Sequence, residues 1–167
     1  LRRHGIARGI QHHAEHRDAL RFGVLDGVHV KLAPFADLSS DPSPVNVLGT
    51  EERPVTFDQA SSGEPWGTLD HLYRIRHAVI DGATVGASWR ADAGWGFLDS
   101  SIVRNCSHLG AFDAGIIKKT LFQNNFTAAS VLFGPIDLIG DTNPNAFEGN
   151  GVGVTAAGNA RFNWWGS

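Results

Sequence analysis

Histidines near the start of the chain form the densest group of potential metal ligands: His12, His13 and His16, with His4 nearby. If this segment is helical, His12 and His16 lie on one face, where their imidazole nitrogens could bind a metal ion. The segment differs from the HExxH phrase of zinc proteases, because Glu15 stands before the last histidine instead of after the first. Solvated surface histidines are the simpler interpretation, and a metal site at His12 and His16 is the alternative.

Tryptophans are the second group with chemical potential. Trp89 and Trp95 lie in or beside predicted loops, where an exposed indole face can stack on a sugar ring. Arg90 and Asp92 stand between them and can hydrogen-bond a ligand. These four residues are the predicted binding set, with a glycan as the ligand, and the sequence predicts no cofactor.

Length and composition limit the classes of protein to which this chain can belong. The 167 residues suit one domain, and a net charge of −3 argues against a nucleic-acid surface, which needs clustered Lys and Arg. No apolar run approaches the roughly 20 residues of a membrane span. Cys106 is the single cysteine, so no internal disulfide forms, and we expect it to be a small buried residue. The start at Leu1, without Met or a signal-peptide pattern, predicts a processed piece or a fragment.

A short phrase recurs along the chain, an apolar couplet followed by a polar residue and a small turn residue. Its copies are 79–82 (VIDG), 102–105 (IVRN), 121–124 (LFQN) and 146–149 (AFEG). A period near 20 residues with elastic gaps is typical of a solenoid, in which each copy is one coil stacked on the next. A β-propeller is the alternative, but its blades need about 40 residues each.

Three copies, 72–81, 95–104 and 114–123, align without a gap and place like residues in columns. The apolar columns are Ile75, Leu98 and Ile117; Val79, Ile102 and Leu121; and Ile80, Val103 and Phe122. The polar columns are Arg76, Asp99 and Lys118; and Asp81, Arg104, Gln123 and Glu148. Charge alternates down the polar columns, and opposite charges on strands about 4.8 Å apart attract each other.

Small residues occupy the bend after each couplet. Asn105 and Asn124, with Asn150 as a further candidate, suit this bend because asparagine tolerates a left-handed backbone, and Gly82 fills it in the first copy. Asparagines in stacked coils can also hydrogen-bond each other, so we expect a ladder through Asn105 and Asn124.

Three stretches resemble the right-handed parallel β-helix proteins of the pectate-lyase-like group. They are 48–57 (LGTEERPVTF) followed by Trp66-Gly67, the coil repeats of 72–150, and the closing phrase 162–167 (FNWWGS). The resemblance implies an all-β right-handed parallel β-helix of six or seven coils over residues 20–167, with truncation at its N-terminus as an open alternative. Residues 1–19 would form a further coil or an N-terminal cap. Trp164 and Trp165 would cover the last coil, and Trp66 would be a packing residue.

The resemblance also implies two kinds of catalysis. Lyases of this fold gather carboxylates around calcium beside a proton-abstracting Arg or Lys, and its hydrolases use clustered aspartates. The aspartate cluster is missing here. Arg76 and Lys118 beside Asp99 are the nearest match to a lyase set, but a carboxylate between two cations is a poor general acid.

The sequence therefore favours a non-catalytic scaffold or adhesin-like module that presents loops for glycan or protein contact, or that stacks into a larger assembly. A fragment of a polysaccharide lyase or glycoside hydrolase, with part of its site upstream, is the alternative. In either case the resemblance implies an extracellular, cell-surface or periplasmic location.

Overall fold

Short strands joined by tight corners make up the protein. The computed structural model describes residues 23–39, 44–89, 96–132, 136–139, 144–155, 158–160 and 163–166, which contain no helix. The strands lie in three sheets. Sheet A contains β1 (Gly23–Leu25), β3 (Val45–Leu48), β6 (Leu72–Arg76), β9 (Phe97–Asp99), β12 (Ile116–Lys118), β15 (Ile136–Ile139) and β18 (Gly158–Asn159). Sheet B contains β2 (His29–Leu32), β4 (Val55–Gln59), β7 (Ala78–Asp81), β10 (Ile102–Arg104), β13 (Leu121–Gln123), β16 (Ala146–Glu148) and β19 (Trp164–Trp165). Sheet C contains β5 (Trp66–Leu69), β8 (Ala83–Ser88), β11 (Leu109–Phe112), β14 (Thr127–Ser130) and β17 (Val152–Thr155).

The chain visits the sheets in the order A, B, C and then begins the next coil. All strand pairs are parallel, as this winding requires; for example, β7 pairs with β10 and β10 with β13. Five coils, from β3 to β17, have a strand in each sheet, and partial coils flank them. The predicted parallel β-helix is confirmed, and its six or seven coils are an approximate count of these five with their flanking parts. Residues 1–19 lie outside the described residues.

The predicted columns match the register in which neighbouring strands pair. Ile75 pairs with Leu98, and Leu98 with Ile117, in sheet A. Ile80, Val103 and Phe122 align in the same way in sheet B. Except for the partly exposed column of Val79, these apolar residues are fully buried, because the stacked coils direct them into one continuous interior.

Aromatic rings extend the sheet B column toward its last strand. The Phe122 and Phe147 rings stack at 5.2 Å between centroids, and the Trp165 ring stacks on Phe147 at 4.4 Å. Trp165 therefore covers the column as predicted, although both Trp164 and Trp165 stay about half exposed. Trp66 is fully buried, and its Nε1 donates a hydrogen bond to the Asp81 carbonyl oxygen at 2.8 Å.

The bends are left-handed as predicted, but the asparagine ladder lies elsewhere. Gly82, Asn105, Asn124 and Gly149 have φ angles of +73°, +56°, +55° and +59°. The predicted ladder through Asn105 and Asn124 is wrong. The ladder runs one residue later, where the Asn125 Nδ2 donates to the Asn150 Oδ1 at 2.9 Å. After the left-handed residue the chain turns, so the next side chain, Asn125, is buried between the coils, whereas the bend residue Asn105 is exposed and donates to the Asp81 carboxylate instead.

A second ladder occupies the corner between sheets A and B. Asn145 Nδ2 donates to the Asn163 Oδ1 at 2.9 Å and to the Ile117 carbonyl oxygen at 3.1 Å. Its own Oδ1 accepts from the Thr120 backbone N–H at 2.9 Å. Since backbone groups at a buried corner have no strand partner and no water, these amides satisfy them.

Candidate functional site

The predicted binding residues are placed only in part. Trp89 is buried, with 1% of its surface exposed, so the predicted exposed indole is wrong at this position. Its ring packs against the bare backbone of Gly96, where a Cβ would collide with it, and its Nε1 has no hydrogen-bond partner among the described residues. Arg90, Asp92, Trp95, His12 and His16 lie outside the described residues. The binding and metal roles given to these residues stay predictions.

The lyase-like set comes together as the repeat predicts. Asp99 Oδ2 lies 3.7 Å from Arg76 Nε and 3.6 Å from Lys118 Nζ, because the three residues are neighbours across sheet A. Asp99 Oδ1 accepts a hydrogen bond from the Ser100 hydroxyl at 2.9 Å. The carboxylate is buried while the two cations are partly exposed.

This geometry suits a structural ion network better than a catalytic one. A lyase base must take a proton from its substrate, and an Arg or Lys that is held charged beside a carboxylate has no lone pair free to accept it. Asp99 in turn is covered and shared between two cations, so it cannot approach a substrate. The set links three successive coils of sheet A instead.

Phe97, which the sequence analysis did not single out, lies beside this ion network on sheet A. The Phe97 ring has the Arg74 guanidinium 5.7 Å and the Lys118 ammonium 5.8 Å from its centroid, within cation–π range. We call this surface, consisting of Arg74, Arg76, Phe97, Asp99 and Lys118, the basic face. Three cations and one carboxylate give it a net charge of +2. Asp137, two strands beyond Phe97 in the same column, is the next carboxylate along that column.

A shallow groove of about 470 Å³ lies on the outer side of sheet C. We call it the acidic groove. Its lining residues are Asp37, Ser39, Thr68, Asp70, Val85, Ser88 and Phe112. Carboxylates, hydroxyls and one aromatic ring therefore meet on a single surface, which is the mixture that polar ligand sites use to orient a ligand.

A segment without a strand of its own shapes one wall of the groove. Leu38 forms a parallel bridge with Leu69, so residues around 35–38 add a rung to sheet C. Asp37 Oδ1 accepts a hydrogen bond from the Thr68 backbone N–H at 2.8 Å, and Gly67 leaves the space that this carboxylate needs. The Asp37 carboxylate is thereby fixed at the edge of the groove.

The two carboxylates of the groove are not neutralised within the described part of the chain. Asp37 and Asp70 make no ion pair there, and the Asp70 carboxylate makes no side-chain hydrogen bond either. Among the residues that the structure describes, no Lys, Arg or His lines the groove. Its net charge of −2 is therefore available to a ligand, and Ser88 connects it directly to Trp89 and the predicted binding segment.

A second groove, of about 360 Å³ on sheet B, has its charges largely paired. It is lined in part by Lys31, Asp58 and Asp81. Asp81 accepts hydrogen bonds from Arg104 Nε and Asn105 Nδ2, both at 2.8 Å. Asp58 Oδ2 lies 2.9 Å from His29 Nε2. This groove is consequently less suited to a charged ligand than the acidic groove.

Outside these surfaces, the described residues show neither a reactive thiol nor a group of metal ligands. Cys106 is buried, as predicted, and desolvation raises the pKa of its thiol to about 12, so it is no nucleophile near neutral pH. Across the described ranges, no three His, Cys, Asp or Glu side chains are grouped so that they could hold a metal ion. The same ranges hold no helix of the length and apolarity that crossing a membrane would take.

Comparison of the chain with protein-family models, curated proteins and solved structures gives no match. The fold is therefore established by the structure, and the function has to be argued from its surfaces.

Proposed function

We propose that this chain is a non-catalytic β-helix scaffold or adhesin-like module, and that the acidic groove is where it contacts its partner. The observation that carries the proposal is the contrast between two surfaces. In the lyase-like set, Arg76 and Lys118 both contact the buried Asp99 carboxylate, whereas Asp37 and Asp70 form no ion pair among the described residues and line an open groove.

A glycan or a protein surface fits this groove. Carboxylates and hydroxyls accept hydrogen bonds from sugar hydroxyls or from basic side chains, and the partly exposed Phe112 ring offers an apolar surface. Arg90, Asp92 and Trp95 follow the buried Trp89 in sequence and would extend the contact. A location outside the cytoplasm, at the cell surface or in the periplasm, belongs to the same proposal, and it rests on the resemblance to secreted β-helix proteins.

The first experiment asks whether the chain is catalytic. The protein is incubated with neutral, acidic and amino-containing polysaccharides, and unsaturated or reducing-end products are measured. The proposal expects no products. Product release that is lost in Lys118→Met or Asp99→Asn would overturn it and would establish the alternative, a lyase or hydrolase.

The second experiment asks whether the groove makes the contact. Binding to a glycan panel and to the protein itself is compared for the wild type, Phe112→Ala and Asp70→Asn. Phe126→Ala is the matched control, because Phe126 is an exposed phenylalanine that does not line the groove. Loss of binding in the two groove variants alone supports the proposal. Binding that is equal in all four proteins contradicts it.

A further inference from the structure

The basic face and the acidic groove carry opposite charge on different sheets of one molecule. The basic face has a net charge of +2 around Phe97, and the acidic groove has −2 beside Phe112. Each surface therefore combines an aromatic ring with a net charge of two, and no ion pair joins either surface to another described residue.

Arg74 and Asp70 are the two residues most in need of a partner. The Arg74 guanidinium contacts the Phe97 ring but no carboxylate of the described residues, and the Asp70 carboxylate contacts no cation among them. The two side chains do not pair with each other within one molecule, although only three residues separate them. An arginine and a carboxylate that are both unpaired can form a charge-assisted, two-pronged hydrogen bond between molecules.

We infer that the partner in the acidic groove is the basic face of a second copy of this chain. The inference rests on the proposed function, because it takes the groove as the contact site and names its occupant. The exposed Arg74 and the half-exposed Arg76 extend from sheet A, and side chains of that length reach into a shallow groove. Charge complementarity of this kind governs both recognition and orientation.

The geometry makes the contact heterologous. The basic face lies on sheet A and the acidic groove on sheet C, so a pair of copies leaves one basic face and one groove unoccupied. Further copies can add at both, and the association continues into chains unless the rotation closes a ring.

Sedimentation velocity of the full chain tests this directly. At about 0.05 M salt we expect association that grows with protein concentration, and at about 0.5 M salt we expect it to be at least about tenfold weaker, because salt screens exposed charges. Asp70→Lys neutralises the groove and Arg74→Glu neutralises the basic face. Each variant alone should associate at least about tenfold more weakly than the wild type. Glu64→Lys, which changes an exposed carboxylate outside both surfaces, should associate like the wild type.

Mixing the two variants gives the sharpest result. Asp70→Lys retains an intact basic face and Arg74→Glu retains an intact groove, so an equimolar mixture should form one-to-one pairs and stop there. Circular dichroism verifies that both variants are folded. A wild type that stays monomeric at low salt, or a mixture that does not pair, overturns the inference. Glycan binding that requires the groove in a monomeric protein would overturn it too, while leaving the proposed function intact. If neither glycan binding nor self-association depends on the groove, both the inference and the proposed function are overturned.

Discussion

Asn125 and Asn150 are linked across neighbouring coils by a hydrogen bond of 2.9 Å from the Asn125 Nδ2 to the Asn150 Oδ1. The same Asn125 amide donates to the Val103 carbonyl oxygen, and its Oδ1 accepts from the Cys106 backbone N–H. One side chain therefore satisfies two buried backbone groups at a corner where the strands cannot.

Replacing Asn125 with Ala should destabilise the protein by about 2–4 kcal/mol, since it leaves those two backbone groups buried without partners. The free energy of unfolding in urea measures the effect. Asn124→Gly is the matched control one residue away. Because Asn124 already has a φ of +55°, glycine fits there without strain, and the change should stay within about 1 kcal/mol. Equal effects at the two positions would contradict the assignment of the ladder.

The ladder also shows how far the sequence predicts this fold. The columns of Ile75, Val79 and Ile80 were predictable because the repeats align without gaps through sheets A and B. The buried columns of Ile75 and Ile80 recur because each of these coils needs an inward apolar residue. The ladder position was not, because Asn124 and Asn125 are adjacent and identical. Only the backbone conformation at the bend decides which of the two faces inward.

The acidic groove could not be predicted from the repeat alignment, for a related reason. The corner from sheet B to sheet C has different lengths, with Leu109 six residues after Val103 but Thr127 five after Phe122, so the ungapped repeat does not continue into sheet C. Allowing a one-residue gap would have aligned Ser88 with Phe112. Asp37 had no such signal, since it joins sheet C through a single bridge beyond Pro34.

The stacked ring of Trp165 makes a second stability test. Trp165→Ala uncovers the Phe147 ring, on which it stacks at 4.4 Å, and should lower the free energy of unfolding by about 1–3 kcal/mol. Trp164 is exposed to a similar degree but pairs beside Ala146, so Trp164→Ala should cost less than half as much. Urea unfolding followed by circular dichroism compares them. A larger loss at Trp164 would show that Trp165 does not cover the column.

Removal of Asp99 tests the sheet A ion network. Asp99→Asn takes away both ion pairs, but Arg76 and Lys118 are partly exposed, so the expected loss is only about 1 kcal/mol and should shrink in high salt. A double-mutant cycle with Lys118→Met measures the coupling between the two side chains. A coupling of zero at low salt would mean that the column is a coincidence of sequence.

Cys106 gives the protein a defined response to alkaline pH. Burial raises the pKa of its thiol from 9.0 in the unfolded chain to about 12 in the folded protein. Below pH 9 the thiol is neutral in both states, and between pH 9 and about 12 only the unfolded chain ionises, so folding becomes less favourable as the pH rises. The loss approaches about 1.4 kcal/mol per pH unit.

Comparison with Cys106→Ala isolates this contribution from other groups that titrate in the same range. The difference in free energy of unfolding between the wild type and Cys106→Ala should be constant below pH 9 and should move against the wild type above it. A difference that stays constant up to pH 11 would indicate that the thiol is accessible to water in the folded protein.

Carboxyl-group footprinting tests the central claim, that the acidic groove is the contact surface, most directly. Exposed carboxylates of the full chain are labelled chemically with and without a bound partner, either a glycan that binds or the protein itself at high concentration. The account predicts that labelling of Asp37 and Asp70 falls when the partner is present, while Glu64 is labelled as before. Binding that leaves the labelling of Asp70 unchanged would contradict it.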